Sequence, residues 1–152
     1  MNNDIMRNAP FWAATIGFLG AQFIKPFITL ALEHRWAPGL AFSTGGMPSS
    51  HTAGVVALAT SIGMTIGCGT VAFAIAGCFG AITIHDAMGI RRAAGKQAEV
   101  INEWSSILAE IHEDGRFTQE HLKTMLGHSF PQVFCGALFG ALVGFLVTFF
   151  MT

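Results

Sequence analysis

One long uncharged run in the sequence leaves few options for the fold. Residues 52–84 are 33 consecutive positions without Asp, Glu, Lys or Arg. At 1.5 Å per residue a single helix of this length would measure about 50 Å, whereas the hydrocarbon core of a bilayer is about 30 Å thick. Gly63, Gly67 and Gly69 lie near the middle of the run. We therefore predict a tight helical hairpin, with one tilted helix as the alternative.

Composition indicates that this hairpin belongs to a membrane protein. Apolar residues make up 52% of the chain and charged residues 11%, against about 25% charged in soluble proteins. The 18 glycines suit helices that pack closely in lipid. We predict a single all-α integral membrane domain, residues 1–152, a small bundle with about four transmembrane helices at residues 9–32, 52–67, 70–88 and 131–151.

Most charges of the second half lie between the hairpin and the last apolar segment. We expect residues 91–127 to form an excursion with one or two amphipathic surface helices, in which apolar residues from Ala98 to Ile111 share a face. Asp114-Gly115 should end the first helix, and residues 118–120 can start a short second one. Four crossings would place both termini on one face and the polar motifs on the other.

Charge and cysteine usage exclude several classes of function. The formal net charge of −1 and the lack of a basic tract give no indication of nucleic-acid binding. Cys68, Cys78 and Cys135 lie in apolar runs without Cys-x-x-Cys spacing, so they predict neither a zinc site nor a disulfide framework. No carboxylate cluster in the sequence indicates a metal site, and we expect no cofactor.

A short polar turn, Gly-Gly-Met-Pro-Ser-Ser-His at residues 45–51, separates the first two apolar segments. Its glycines allow backbone N–H groups to approach a ligand, and Ser49 and Ser50 add hydroxyl donors. The helix that follows directs its positive end at the turn, where His51 can exchange a proton. The pattern indicates an oxyanion site. A turn of small residues without a ligand is the alternative.

The first apolar segment contains one charged residue, Lys25, which is followed by Pro26. An ionisable residue inside a span is costly and is a functional candidate that usually faces the bundle interior. Alternatively, Lys25 lies near the helix end and extends its amine to the membrane interface.

The hairpin brings several chemically active residues to one membrane face. Both of its ends lie on the same side, so Asp86, Arg91 and Arg92 return to the side of His51, and His128 precedes the last span there. Arginine matches the geometry of phosphate oxygens. One histidine can attack phosphorus while the other protonates the leaving oxygen. The set indicates phosphoryl transfer.

Two of these motifs resemble those of the type-2 phosphatidic acid phosphatases and vanadium-dependent haloperoxidases. Residues 48–51, Pro-Ser-Ser-His, look like the central motif of that superfamily. Residues 127–133, Gly-His-Ser-Phe-Pro-Gln-Val, followed by Gly136-Ala137, resemble its last motif. Together with Lys25-Pro26 and residues 86–98, their order is similar to the divergent branch of small bacterial and plant membrane proteins. The resemblance covers nearly the whole chain.

The resemblance implies a role for each matching residue. His128 would be the nucleophile that forms a phosphohistidine, and His51 would be the general acid for the leaving group. Phosphate oxygens would be bound by a set of basic and hydroxyl side chains: Lys25, Arg91 or Arg92, Ser49 and Ser50.

The sequence departs from the family pattern at three places. Gln132 stands where an acidic partner of the nucleophile is expected, and an amide can orient an imidazole but cannot stabilise an imidazolium by charge. We expect Asp86 to supply that charge from the neighbouring helix. Roughly 35 residues separate Arg92 from His128, a longer gap than the family pattern has. Arg35 is the candidate for a missing second arginine of the first motif.

The function that follows is a membrane phosphatase that hydrolyses a lipid phosphate or diphosphate, an isoprenoid one included, through a phosphohistidine and without a metal. The alternative is a non-catalytic membrane protein that binds or transports a phosphorylated molecule at a degenerate site, which Gln132 favours. A haloperoxidase ranks third, because a lipid-embedded site suits lipid head groups better than peroxide and halide.

The distribution of positive charge predicts an orientation. Seven of the eight Lys and Arg residues, all except Arg7, lie at or beyond the site face. The positive-inside tendency then predicts a cytoplasm-facing site in a bacterial inner membrane. Helices rich in small residues also make a homodimer plausible.

Overall fold

The computed structural model describes residues 5–111, 121–124 and 126–152. Within these residues the regular structure is entirely helical, which confirms the predicted all-α membrane bundle. Two short 3₁₀ helices occur at Ile5–Arg7 and Pro38–Phe42. The described α-helices are α1 (Ala9–Glu33), α2 (Ser50–Ile66), α3 (Val71–Met88), α4 (Ile90–Ile111) and α5 (Phe130–Met151).

The uncharged run folds as a hairpin of two helices, so the alternative of one tilted helix is wrong. Helix α2 ends at Gly67, whose φ of +93° is a left-handed conformation that favours glycine. Thr70 then caps α3, because its side-chain oxygen accepts a hydrogen bond of 3.3 Å from the backbone N–H of Phe73. The turn between the helices occupies only residues 67–70.

Three of the described helical stretches are long and apolar enough to cross a membrane: Ala9–Glu33, Val71–Ile111 and Phe130–Met151. Helix α2 has 17 residues, or about 25 Å at 1.5 Å per residue, somewhat less than the thickness of a bilayer core. It lies at the centre of the bundle and packs against α1, α3 and α5. Because protein surrounds α2, its length need not match the lipid. That α2 also crosses the membrane remains a prediction.

Glycines allow α5 to approach α2 closely. Gly136, Gly140 and Gly144 recur every four residues and lie against the backbone of α2. A Cβ atom at Gly136 would lie 2.6 Å from the carbonyl oxygen of Ser49, and one at Gly144 would lie 2.7 Å from that of Ala57. Such close small-residue contacts take the place of the hydrophobic driving force that helices lack in lipid. They fix the start of α2 beside the start of α5.

The chain before α5 is held at the break between α3 and α4 at Gly89, which we call the elbow. The carbonyl of Ala87 accepts a hydrogen bond of 2.9 Å from the backbone N–H of His128. Gly127 has a φ of +80° and lies against the backbone of Ala87 and Arg92, where a Cβ atom would not fit. Helix α3 thereby positions His128, although the two are far apart in the sequence.

The described part of the predicted surface excursion includes α4 and residues 121–124, which contact it. Asn102 exchanges two 2.9 Å hydrogen bonds with the backbone of Leu122. Residues 121–124 are not helical. The predicted helix end at Asp114-Gly115 and the predicted start at residues 118–120 lie outside the described residues.

Candidate active site

The side chain of His128 is buried and has a defined tautomer. Its Nδ1 lies 3.2 Å from Oε1 of Gln132, and the backbone N–H of Ser129 donates to the same oxygen at 3.0 Å. An amide oxygen accepts hydrogen bonds, so Nδ1 carries the proton and donates it to Gln132. The other ring nitrogen, Nε2, is buried and has no hydrogen-bond partner among the described residues. His128 therefore presents a free lone pair at Nε2.

Asp86 does not take the place of the missing acidic partner of His128. Its carboxylate accepts a hydrogen bond from Nε of Arg91, on the other side of the elbow. The expectation that Asp86 pairs with His128 is therefore corrected. Gln132 occupies that position because it lies one helical turn after His128, where it also caps the start of α5.

The two histidines meet at a small cavity. The ring centroids of His51 and His128 are 6.4 Å apart. Phe18 of α1 makes an edge-to-face contact with His51, with the ring centroids 5.6 Å apart. The cavity has a volume of about 30 Å³, more than the roughly 10–15 Å³ that one water molecule requires on such a measure. Its lining combines the two histidines with residues of α3, of the start of α4 and of the loop before the polar turn: Thr44, His51, Thr83, Asp86, Ala87, Arg91 and His128.

The cavity brings together only part of the predicted phosphate-binding set. Arg91 lines the cavity, whereas Arg92 and Arg35 do not. Ser49 caps α2, since its Oγ accepts from the backbone N–H and the hydroxyl of Thr52 at 3.3 and 2.9 Å. Ser50 is buried in the first turn of α2 and also lies outside the lining. The serines therefore start α2 and are buried within the bundle, with the backbone of Ser49 against Gly136 of α5.

Lys25 faces the bundle interior, so the interpretation that it reaches the membrane interface is wrong. Its side chain is fully buried, and Nζ donates to the carbonyl oxygen of Ser43 at 3.1 Å. Nε2 of Gln22 donates to the same carbonyl at 2.9 Å. Lys25 and Gln22 thus fix the loop that leads into the polar turn. Oε1 of Gln22 is buried without a partner in the described part of the chain.

Sequence reasoning missed four residues at this site: Gln22, Thr44, Thr83 and Phe18. Helical spacing contained a signal for two of them. Gln22 precedes Lys25 by three positions and Thr83 precedes Asp86 by three, a spacing that places side chains on one face of a helix. Phe18 had no signal, because it resembles every other lipid-facing phenylalanine.

Burial shapes the electrostatics of His128. It lowers the pKa of the imidazole below its usual range, and the nearby positive charges of Lys25 and Arg91 act in the same direction. The hydrogen bond to Gln132 acts in the opposite direction. The imidazole is therefore neutral, and its Nε2 lone pair available, down to a lower pH than for an ordinary histidine.

Replacing Gln132 by glutamate should move the acid limb of the pH–rate profile upward. A carboxylate at this position would stabilise the protonated imidazole and raise the pKa of His128 by about one unit. Protonation would then remove the nucleophile at higher pH. The measurement is kcat/KM for phosphate release as a function of pH. Ser106→Glu, which adds a carboxylate to α4 outside the cavity lining, is the control, and equal acid limbs in both variants would contradict this role of Gln132.

Two larger spaces adjoin the small cavity. An apolar groove of about 470 Å³ lies between α1 and α3 with α2 as its floor, and it shares His51 and Thr83 with the cavity. A second space of about 490 Å³, which is more polar than the groove and which we call the polar cleft, lies between residues 39–44 and residues 122–124 and 126. It shares Thr44 with the cavity and is lined by Lys123. The two-histidine site therefore lies between an apolar space and a more polar one.

Comparison with known proteins identifies the family of this chain. Residues 6–143 match the divergent PAP2 family. The chain belongs to this family. It is 35% identical over 155 residues to the uncharacterized membrane protein YuiD of Bacillus subtilis (strain 168), covering 97% of this chain and 98% of that protein. No solved structure matched. The resemblance deduced from the motifs is confirmed, and this divergent PAP2 protein is an integral membrane protein.

Proposed function

We propose that this divergent PAP2 protein is a membrane phosphatase that hydrolyses a lipid phosphate or diphosphate through a phosphohistidine on His128. The observation that carries the proposal is the unpartnered Nε2 of His128, on a buried ring that lines one cavity with His51 and Arg91. Leaving a buried polar atom unpaired costs roughly 1–3 kcal/mol. Such a cost is commonly found where the atom has a chemical role.

The proposed reaction has two steps. In the first, the Nε2 lone pair of His128 attacks phosphorus, the bond from phosphorus to the leaving oxygen breaks, and protonated His51 donates its proton to that oxygen. In the second, neutral His51 accepts a proton from water while the water oxygen attacks phosphorus, and the P–N bond breaks. Phosphate leaves, and both histidines return to their starting forms. No metal enters the proposed steps, and the lack of a cofactor remains a prediction.

Arg91 is the proposed ligand of the phosphate oxygens. Its side chain is 53% exposed and its ion pair with Asp86 is therefore weak. A bound phosphate can replace the carboxylate, because guanidinium groups bind both anions in the same planar geometry. Lys25 adds positive charge from below the polar turn and holds Ser43 in place. Gln132 orients His128.

The apolar groove supports a lipid substrate over a water-soluble one. It meets the cavity at His51, the proposed donor to the leaving oxygen, and the lipid chain is attached to that oxygen. From His51 to Leu58 the groove follows seven residues of α2, or about 10 Å into the bilayer. The polar cleft on the opposite side, with Lys123, gives water and released phosphate a path.

Quenching at alkaline pH distinguishes the enzyme from a protein that only binds. With a ³²P-labelled lipid phosphate, rapid denaturation at alkaline pH should leave label on the chain that acid then releases, as expected for a phosphohistidine. A binding or transport protein would retain the ligand before denaturation and lose all of it afterwards. Binding without any covalent label, under conditions where phosphate is also not released, would favour the non-catalytic alternative.

Filling the groove should change the preference for chain length. In Leu58→Trp the larger ring would occupy the groove. The ratio of kcat/KM for a long-chain alkyl phosphate to kcat/KM for a short-chain one should then fall about tenfold or more, because about one to two kcal/mol of chain binding is lost. Ile75→Trp adds the same ring on the lipid-facing side of α3, outside the groove, and serves as the control. An unchanged ratio in Leu58→Trp would argue against the groove as the chain site.

The proposed location is the bacterial inner membrane with the site at the cytoplasmic face. The support is the excess of lysine and arginine on the site side. A cysteine introduced at Gly39, which lies in the polar cleft, would decide the orientation in a chain whose native Cys68, Cys78 and Cys135 are replaced by serine. Its reaction with an impermeant maleimide in intact cells would contradict the proposed orientation.

A further inference from the structure

Helix α4 has an apolar side that the bundle does not use. Six apolar residues of α4, which we call the apolar arc, have exposures between 42% and 69%: Ile90, Val100, Ile101, Trp104, Ile107 and Ile111. At 100° per residue they fall within an arc of about 120°. One polar residue, Gln97, lies in the same sector. Leu108, which is 38% exposed, also lies in this sector.

Two other sides of α4 have different partners. The packed arc, Gly95, Ala98, Asn102 and Ser105, faces the rest of the protein: three of these residues are buried and Asn102 bonds to Leu122. At Gly95 a Cβ atom would lie 2.7 Å from the carbonyl oxygen of Thr124. The charged arc, which carries only exposed residues, consists of Arg92, Lys96, Glu99, Glu103 and Glu110.

The three arcs divide the helix into nearly equal thirds. Counted at 100° per residue, the centre of the apolar arc is about 140° from the packed arc and about 110° from the charged arc. A helix that lies on a bilayer beside a bundle needs these three sides: one toward the protein, one toward the acyl chains and one toward water. A helix standing upright in water would expose its apolar side at a cost of roughly 25 cal/mol per Å².

The connection to α3 fixes where α4 begins. Only Gly89 separates α4 from α3, and the lipid-facing surface of α3 includes the exposed residues Ile75, Phe79 and Ile82. The apolar arc starts at Ile90, directly after Gly89, and so begins where the apolar surface of α3 gives way to the charged Asp86. Gly89 interrupts the helix with non-helical backbone angles (φ −97°, ψ −90°), and this break allows α4 to turn away from the direction of α3.

We infer that α4 lies on the membrane on the site side, with its apolar arc inserted among lipid head groups and upper acyl chains. Trp104 lies at the centre of the arc, at the depth that tryptophan favours. Lys96, at the border between the charged and apolar arcs, can extend its amine to lipid phosphates. Because α4 carries the segment that ends at His128, this contact anchors the two-histidine site at the bilayer surface. The inference does not depend on the proposed function.

Fluorescence of Trp104 in lipid nanodiscs tests the inference. The full chain carries Trp12→Phe and Trp36→Phe, so that Trp104 is the single tryptophan, and discs with one copy of the protein are selected. Emission should be shifted to the blue, and 6,7-dibromo lipids should quench it at least twofold more than iodide does. The control adds Trp104→Phe and Glu103→Trp, which moves the ring into the charged arc, and there iodide should be the stronger quencher.

Two outcomes would overturn the inference. Quenching of Trp104 by iodide to the same extent as in the control would mean that the apolar arc faces water. The second outcome compares discs with one copy and discs with two copies of the protein. If iodide quenches Trp104 in discs with one copy, and neither quencher reaches it in discs with two copies, a second copy of the chain covers the arc. If the double Phe variant does not fold, nitroxide spin labels at Val100, in the apolar arc, and at Ser106, outside it, provide the same test. The accessibility of each label to oxygen, which is enriched in lipid, is then compared with its accessibility to a water-soluble nickel chelate.

Discussion

Replacing His128 by asparagine is expected to abolish phosphate release, with kcat lower by a factor of about 1,000 or more. The asparagine amide can still donate to Oε1 of Gln132, so the start of α5 should keep its hydrogen bonds. What the variant loses is the Nε2 lone pair, the single group of the proposed mechanism that forms a bond to phosphorus. Turnover of a lipid phosphate panel in detergent, together with the covalent label described above, is the measurement.

The control for this variant is His85→Asn. His85 lies on α3 one position before Asp86, is exposed and does not line the cavity. The same chemical change there should leave kcat within about twofold, as surface substitutions usually do. Phosphate release by His128→Asn at the wild-type rate, from protein with an unchanged melting temperature, would refute the phosphohistidine mechanism.

A single added methyl group at Gly140 is expected to destabilise the bundle by about 3 kcal/mol or more, at the upper end of what overpacking costs. A Cβ atom at this position would collide with the carbonyl oxygen and Cα of Ala53. Neither can rotate away, because both belong to the backbone of α2 in the middle of the interface. Helices α2 and α5 would have to separate, and the contacts at Gly136 and Gly144 would loosen with them. The measurement is the unfolding free energy of Gly140→Ala in mixed micelles.

Gly77→Ala is the matched control for Gly140→Ala. Gly77 lies inside α3, and a Cβ atom there would have no neighbour within 4 Å. Alanine favours a helix over glycine by about 1 kcal/mol, so this variant should be as stable as the wild type or slightly more stable. Equal stabilities of the two variants would show that close contact at Gly140 does not hold the helices together.

The helices could be predicted because their signals are local. The glycines of the uncharged run predicted the break that occurs at Gly67, and the apolar segments predicted α1 and α5 to within one or two residues. The amphipathic pattern after Arg91 predicted α4. The pattern did not predict the elbow at Gly89. The packing of Gly127 against Ala87 and Arg92 at the elbow is a contact between distant parts of the chain, which a local pattern does not encode.

For the residues that line the two-histidine cavity, the sequence predicted which residues come together better than how they pair. Topology alone brought His51, Asp86 and Arg91 to one face, and the motif after Gly127 added His128. The choice of Arg91 over Arg92 depends on how the elbow turns. That Asp86 pairs with Arg91, while Gln132 holds Nδ1 of His128, depends on atomic distances of about 3 Å, which no spacing in the sequence encodes.

The sequence by itself determined that this protein is an all-α membrane bundle with its polar residues gathered at one end. The reason is that lipid accepts only helices with internally bonded backbones, so apolar length and glycine breaks are sufficient to define them. Only the tertiary structure decided that Lys25 is buried, that the serines before His51 serve packing, and that Nε2 of His128 is left free. These are consequences of close contact between helices, where a single glycine or a single hydrogen bond decides which side chain reaches the cavity.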